Sequence, residues 1–483
     1  MRRFTMPWLT AVLTAALASG CASTHGLAPA STPRDPDTLA TAQSFAGTLS
    51  PAAWPRQDWW THWGDPQLDA LIAEALAGTP TLDAADARAR KARALAGLAD
   101  EARKPALGAS ARYSGAYLPE SLLPSPIGGE YNGVTLATLD VQYAPDLWGG
   151  KRAHWESALG TLHAAEVDAQ QARLTLAANI VHTYVALAQA HEAKTIAREE
   201  STRAERLLGL ARQRVRAGLD NDLQVRQAES ALASAGQQSQ AAQQQIDALR
   251  NALSALLGKG PDRGLTLDAP QLLATDAPAL PSALPSELLG HRPDVVAARW
   301  RVEAASRGID AAKAEFYPSV NLTAMVGIAS GNLSDLFTRD ALLATAGPAI
   351  SLPFFRGERL RQQLASSDAD YDLAVAQYDQ SVVGAVREVA DALQAARMLD
   401  AQIASATRAR DATRKALALA DDRYRAGLGT QLDVLGAQRP LLQLDTQLAG
   451  LRAQRRNVAV DLAVALGGGV TPSSPAAFSM VAP

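Results

Sequence analysis

Two stretches of this chain contain no proline, Lys151 to Ala217 and Glu358 to Ala426. Read as continuous helices at 1.5 Å per residue, each reaches about 100 Å. Both end in almost the same twelve letters. "RVRAGLDNDLQV" begins at Arg214 and "RYRAGLGTQLDV" at Arg423. Arg214, Arg216, Ala217, Gly218, Leu219, Leu223 and Val225 pair with Arg423, Arg425, Ala426, Gly427, Leu428, Leu432 and Val434. The agreement continues through Ala228/Ala437 and Leu232/Leu441. An internal duplication explains so many identities in one register. Gly218 and Gly427 fit the left-handed position that ends a helix. Asn221 or Asp222, and Thr430, are placed to cap the helix that follows. The repeat therefore predicts a helical hairpin tip, present twice.

The rest of the pattern agrees with rods. Apolar residues recur at three- and four-residue steps: Val382, Val386, Val389, Leu393 and Ala396 on one long segment. The return segments do the same at Ile246, Leu249, Leu253 and Leu256, and at Leu441, Leu444, Leu448 and Leu451. These are coiled-coil seams. Aromatic residues make up only 5%, and alanine dominates the apolar fraction, which suits helices in close contact better than one large core.

A second period precedes each long helix. Leu107, Ala109, Ala111, Tyr113 and Tyr117 alternate with Ser110, Arg112 and Ser114. Ala137, Leu139, Val141 and Tyr143 alternate with Thr138, Asp140 and Gln142. Val320, Leu322, Ala324, Val326 and Ile328 alternate with Ser319, Asn321, Thr323 and Met325. Leu343 to Leu352 is a weaker fourth case. Runs of about ten residues with this alternation fit strands of a membrane barrel, or a half-buried soluble sheet.

The N-terminus favours the membrane. Arg2 and Arg3, the apolar run Trp8 to Leu17 and the small residues Ala18, Ser19 and Gly20 form a secretory signal. Cys21, the only cysteine, follows directly, as in a bacterial lipoprotein signal where the cysteine is lipidated. The usual leucine three places before it is Ala18 here. An ordinary signal cleaved nearby is the alternative. Ala22 and Ser23 carry no aspartate of the inner-membrane retention kind, so the resemblance points to the outer membrane. No other run approaches the roughly 20 apolar residues of a membrane helix. A mature chain that spans must then do so as a barrel. Four strands are fewer than the smallest membrane barrel needs, so spanning requires several chains to share one barrel.

Enzyme readings are thin. His154/His163 and His182/His191 are nine apart, off the i, i+4 spacing of a helical metal site, and are expected on solvated helix faces. "GKGPDRG" from Gly258 reads as a turn. Pro293 after His291 and Arg292 fits a first helical turn. No cofactor and no metal is expected. The net charge of −3 carries no bias toward nucleic acid.

The domain reading is a signal over 1–20, a linker over 21–56, a first repeat over 57–260 with strands near 107–117 and 134–145, and a linker over 261–285. A second repeat follows over 286–466 with strands near 319–328 and 343–353, then a tail over 467–483. The whole mature chain resembles the TolC family of outer-membrane efflux proteins, in its lipoprotein branch. "WWTHWGDPQLDALIAEAL" (Trp59 to Leu76), "YAPDLWGGKR" (Tyr143 to Arg152), "LPSELLGHRPDV" (Leu284 to Val295) and the paired "RAGL" tips carry the resemblance.

That resemblance implies a mainly α chain with a membrane β-barrel. It implies a homotrimer whose four strands per chain form a twelve-stranded barrel, above a periplasmic tunnel of antiparallel coiled coils. A belt of short helices would include Asp65 to Ala77 and the Gly467 region. The implied role is an outer-membrane channel of a tripartite efflux system, lipid-anchored through Cys21. A periplasmic adaptor would join it to an inner-membrane pump of the resistance–nodulation–division class. Gly218, Leu219, Gly427 and Leu428 are the implied adaptor contacts. Tyr424, Arg425, Leu432 and Asp433 match periplasmic gate positions, and Gln224 stands where some members carry an aspartate. Where many members have an acid one turn past Leu432, this chain has Gly436. Pro440 follows four residues on, which predicts a helix kink at Gly436–Pro440. Asp140 suggests a mildly cation-favouring lumen, with Arg112 opposed. A structural coiled-coil lipoprotein without a channel is the competing reading.

Overall fold

The computed structural model describes residues 24, 26–46, 54–117, 119, 121, 129, 131–273, 280, 285–353 and 356–469. Cys21, the expected signal peptide and the tail beyond Gly469 lie outside the described residues. The main elements run α1 (Pro66–Ala77), α2 (Pro80–Glu101), β1 (Ala106–Tyr117), β2 (Tyr131–Tyr143), α3 (Gly150–Arg216), α4 (Asp222–Leu256) and α5 (Asp262–Leu265). The second half runs α6 (Pro285–Gly290), α7 (Pro293–Ala314), β3 (Ser319–Ser330), β4 (Leu342–Ser351), α8 (Gly357–Arg425) and α9 (Gln431–Ala465). The two proline-free stretches are thus the single helices α3 and α8, of 67 and 69 residues. The chain divides into two compact units, and both long helices contribute to each.

The first unit holds the sheet. Its strands pair antiparallel in the order β1-β2-β3-β4. The register brings Leu107, Val141, Ala324 and Ala346 into one row, and Ala109, Leu139, Val326 and Ala344 into the next. The apolar residues of all four strands therefore share a face. Gly108, Asp140, Met325 and Thr345 form a row on the other face. β2 begins earlier than its alternation suggested, because Asn132 and Gly133 interrupt the pattern there. Beside the sheet, the first turns of α3 and α8 pack with α2 and α7. Ala92, Ala96 and Leu162 form one cluster, and Ile309, Ala312, Phe316, Leu360 and Leu364 another. The helices approach closely where side chains are small: a Cβ on Gly160 would lie 2.9 Å from that of Ala304.

The second unit centres on α1, the middle of α3, and the base of the α4 and α9 hairpin arms. Leu68, Leu71, Ile72, Ile180, Val181, Tyr184, Ile246, Leu253 and Val460 are buried together. Asp65 caps α1 through the Gln67 amide and also accepts from the Tyr184 hydroxyl at 2.8 Å and the Gln271 amide at 2.8 Å. Arg292, at the start of α7, is buried and holds three partners. It pairs with Asp294 at 2.7 Å and Glu388 at 2.8 Å, and donates to the Ala465 carbonyl at 3.3 Å. The "GKGPDRG" stretch ends α4: Gly258 has φ +67°, and the Lys259 amide donates back to Ser254 at 2.9 Å.

Both expected linkers are tied down where they are described. In the first unit, Ala30 and Ser31 donate to Asp372. In the second, the Arg34 amide donates to Asp379, Arg397 donates to the Ala46 carbonyl, and Asp37 accepts from Ser286. Leu280, from the stretch between the repeats, is buried with Phe45 and Leu393. Composition alone suggested spacers, but backbone groups and single apolar anchors fix these segments.

Candidate functional site: the paired helical tips

α3 and α8 each end in the same closed turn. At the first tip Gly218 has φ +71°, its amide donates to Val215, and the Leu219 amide donates to Arg214 at 2.9 Å. At the second, Gly427 has φ +75°, its amide donates to Tyr424, and the Leu428 amide donates to Arg423 at 2.8 Å. This pair of back-bonds is the Schellman motif, and the left-handed residue needs glycine. In that motif the residue after the glycine commonly packs back on its own helix. Here Leu219 is 65% exposed and Leu428 72% exposed. The turn itself does not need a leucine, since α4 closes the same way with Lys259 and α9 with Gly468. The leucines are apolar side chains held outward on a rigid turn.

The following helices start with capping boxes. Asn221, rather than Asp222, caps α4 with Gln224 as its reciprocal partner. Thr430 caps α9, and its amide and hydroxyl both donate to Asp433 Oδ2, at 2.7 and 2.8 Å. Those bonds from Thr430 hold the Asp433 carboxyl below its ordinary range.

A node centred on Tyr424 joins the two tips. Tyr424 is 1% exposed, and its hydroxyl donates to Asp220 Oδ2 at 3.0 Å. Arg214 donates to the same oxygen at 2.8 Å, and its guanidinium lies 4.7 Å from the centre of the Tyr424 ring. Burial, then the bond to Asp220, pushes the Tyr424 phenol up to about 12. Gln431 adds a second tie by donating to the Gln224 carbonyl at 3.1 Å. Farther from the tips α9 meets α3: Gln438 donates to Glu200, Arg452 pairs with Glu192, and His182 contacts Asn457 and Asp461. α3 and α9 therefore meet along a polar seam, while α8 and α9 meet through Leu399, Ala406, Leu448 and Leu451.

The sequence reading named Tyr424 but missed Asp220 and Arg214. A signal was present. Tyr424 aligns with Val215 in the duplicated stretch, and Asp220 with Gly429. The two copies differ at the positions that form the pair between them. Arg425, another of the expected gate positions, pairs with Asp421 on its own helix at 2.6 Å. Leu432 is 68% exposed, and Gly436 and Pro440 are exposed on the same side of α9. α9 continues as a helix through Pro440. Two of the histidines expected on solvated faces sit at helix contacts instead. His182 lies between α3 and α9, and the His163 ring lies 4.6 Å from Trp300.

The sheet is the second functional element. Its apolar face is open: Leu107, Leu139, Val326 and Leu342 are all exposed. Tyr113, Tyr117 and Tyr131 stand near one end of the sheet. Beyond the other, Trp148 stacks on Tyr317 at 4.8 Å. An apolar band between aromatic girdles is how a barrel meets lipid. Among the described residues no helix is long and apolar enough to cross a membrane.

The model of the "Outer membrane efflux protein" family matches residues 71–259 and 284–468. The chain belongs to that family. It is an efflux channel component of the outer membrane and not an enzyme. Among curated proteins it is similar to the fusaric acid resistance protein FusA of Burkholderia cepacia, with 41% identity over 73% of this chain and 67% of that protein. The pyoverdine export outer membrane protein OpmQ of Pseudomonas putida is 32% identical over 89% of this chain and 94% of its own length. Among solved structures, the outer membrane protein VceC of Vibrio cholerae superposes with a TM-score of 0.81 at 36% identity, covering 86% of this chain and all of VceC. The MtrE outer membrane channel of Neisseria gonorrhoeae gives 0.80 at 26% identity, over 92% and 99%. A coiled-coil lipoprotein without a channel accounts for neither the family match nor the open apolar sheet.

Proposed function

We propose that three copies of this efflux protein close a twelve-stranded barrel and form the outer-membrane duct of a tripartite pump. The open edges β1 and β4 support the sharing, because unpaired strand edges are not tolerated in lipid. Two neighbouring copies supply the missing pairing on each side. The duct passes small molecules delivered by an inner-membrane pump of the resistance–nodulation–division class. Relatives are named for fusaric acid resistance and for pyoverdine export. Cys21 carries the lipid. Leu27, six residues on, packs with Phe316 and Leu360 near the ends of β3 and β4, which suits an anchor at the base of the barrel.

The observation that carries the reading is the pair of outward leucines on rigid turns. Covering each by an adaptor removes apolar surface worth about 1–2 kcal/mol. Three chains present six such contacts, and multivalency multiplies the effect. Gly218 and Gly427 set the turns; Leu219 and Leu428 are the anchors. Leu432 and Asp433 line the periplasmic aperture. Tyr424 braces it by linking the tips, and Arg425 supports α8 through Asp421. Replacing Leu219 and Leu428 with Asp should abolish drug resistance in cells while the oligomer still forms. Undiminished resistance in that variant, with normal levels in the outer membrane, would refute the adaptor role.

A further inference from the structure

α8 carries an acid in an otherwise apolar row. Leu364, Asp368, Tyr371 and Val375 follow at three- and four-residue steps, and the apolar members pack with α7. Asp368 is 6% exposed. Neither of its carboxylate oxygens has a hydrogen-bond partner among the described residues. The charged groups acting on it are Lys313 of α7 and Asp372 of α8. Tyr371, beside it, faces Asp372 and Glu303 of α7.

One turn further, Asp372 has the opposite surroundings. It accepts from the Ala30 amide at 3.2 Å and the Ser31 amide at 2.8 Å. One turn earlier, Leu364 belongs to the cluster on which Leu27 packs. The segment Leu27–Ser31 is thus fixed on both sides of Asp368. Between those points lie Ala28 and Pro29, which together offer a single amide hydrogen, since proline has none. The stretch between the two anchor points therefore has little to donate to a carboxylate one turn away on α8.

We propose that Leu27–Ser31 is a proton-linked strap: its docking on α8 seals Asp368 from water as the neutral acid, and loss of that proton loosens the segment. An ionised carboxylate without partners is costly to bury, whereas a neutral one costs far less. Burial first, and then the charge of Asp372, raise the Asp368 carboxyl above its ordinary 3.8, with Lys313 opposing. The amides of Ser31 and Ala30 lower that of Asp372.

The two acids act in opposite directions. The docked state holds a proton on Asp368 that the released state has lost at ordinary carboxylate pH. Docking therefore weakens as pH rises from the ordinary value to the raised one, then levels off. Asp372 contributes above the ordinary value, and its contribution is lost as pH falls through its lowered one. The strap is held best near the ordinary carboxylate value, where Asp368 still keeps its proton and Asp372 is already ionised. Nothing in this depends on the trimer, the adaptor or a lipid on Cys21.

Hydrogen exchange of the Ala30 and Ser31 amides tests this on the full-length protein in nanodiscs, between pH 4 and 8, after correction for the intrinsic exchange rate. The expected protection falls by up to tenfold per pH unit within the window, the limit for one linked proton. Asp368→Asn and Asp368→Leu should keep the protection and flatten its pH dependence. Asp372→Asn should lower the protection but leave the fall with rising pH. Protection independent of pH in the parent overturns the proposal without reference to any variant. So does an unchanged pH dependence in both Asp368 variants.

Discussion

At the scale of residues, two clusters convert a duplicated sequence into an asymmetric device. The Tyr424–Asp220–Arg214 node joins the tips because the copies diverged there. Tyr424→Phe removes one hydrogen bond to a carboxylate, a loss of about 1.5–3 kcal/mol. Protease cleavage at the tips should quicken while the barrel keeps its resistance to heat. The phenol at about 12 stays protonated in ordinary buffers, so tip cleavage should not change between pH 7 and 9 through this group. A cleavage rate unchanged in Tyr424→Phe would show that the node bears no load. Arg292 is the second cluster. Arg292→Ala strands Asp294 and Glu388 and frees the Ala465 carbonyl. Both acids are partly exposed, so the loss should be on the order of 2 kcal/mol, below the range for fully buried pairs. A lowered melting temperature, only partly restored by Arg292→Lys because lysine lacks the planar fork, is the expected result.

At the scale of elements, α9 is the helix to watch. Pro440 removes the bond to Gly436 and sets its ring against that carbonyl. A kink there, just beyond Leu432, is our expectation. Pro440→Ser should straighten the helix and lower the resting conductance in planar bilayers. Nothing lies within 4 Å of a Cβ placed on Gly436, so Gly436→Asp fits without a clash. Adding it should make conductance more sensitive to divalent cations. Conductance and block identical to the parent in both variants would remove α9 from the gate. The sheet makes a separate prediction. Asp140 lies on the face opposite the apolar one, so reversal potentials in a salt gradient should show a mild cation preference, weakened by Arg112 on the same face. Much of this level was legible in advance. The strand period of two and the absence of proline from α3 and α8 mark local geometry, which sequence spacing records directly. The tether of Ala30 and Ser31 to Asp372 was not legible. It joins residues more than 300 positions apart through backbone amides, which have no sequence signature. The polar seam of Glu200 and Gln438 was hidden for a related reason: on a helix rich in alanine, a buried glutamine looks like a surface one.

At the scale of the whole molecule, everything turns on whether separate copies complete one barrel. Within one chain β1 and β4 are three strand spacings apart, about 14 Å. A disulfide needs Cα atoms within about 7 Å, so no bond between these strands can form inside one chain. Between neighbouring copies the two strands are adjacent in the proposed barrel. The direct measurement places one cysteine at Ser110 on β1 and a second at each position of β4 in turn. Oxidised outer membranes are then run on a denaturing gel, with the parent chain and its single Cys21 as control. The account predicts a covalent three-chain band at one or two neighbouring β4 positions, collapsing to single chains on reduction. Single chains at every position, from protein that still conducts and still confers resistance, would contradict it.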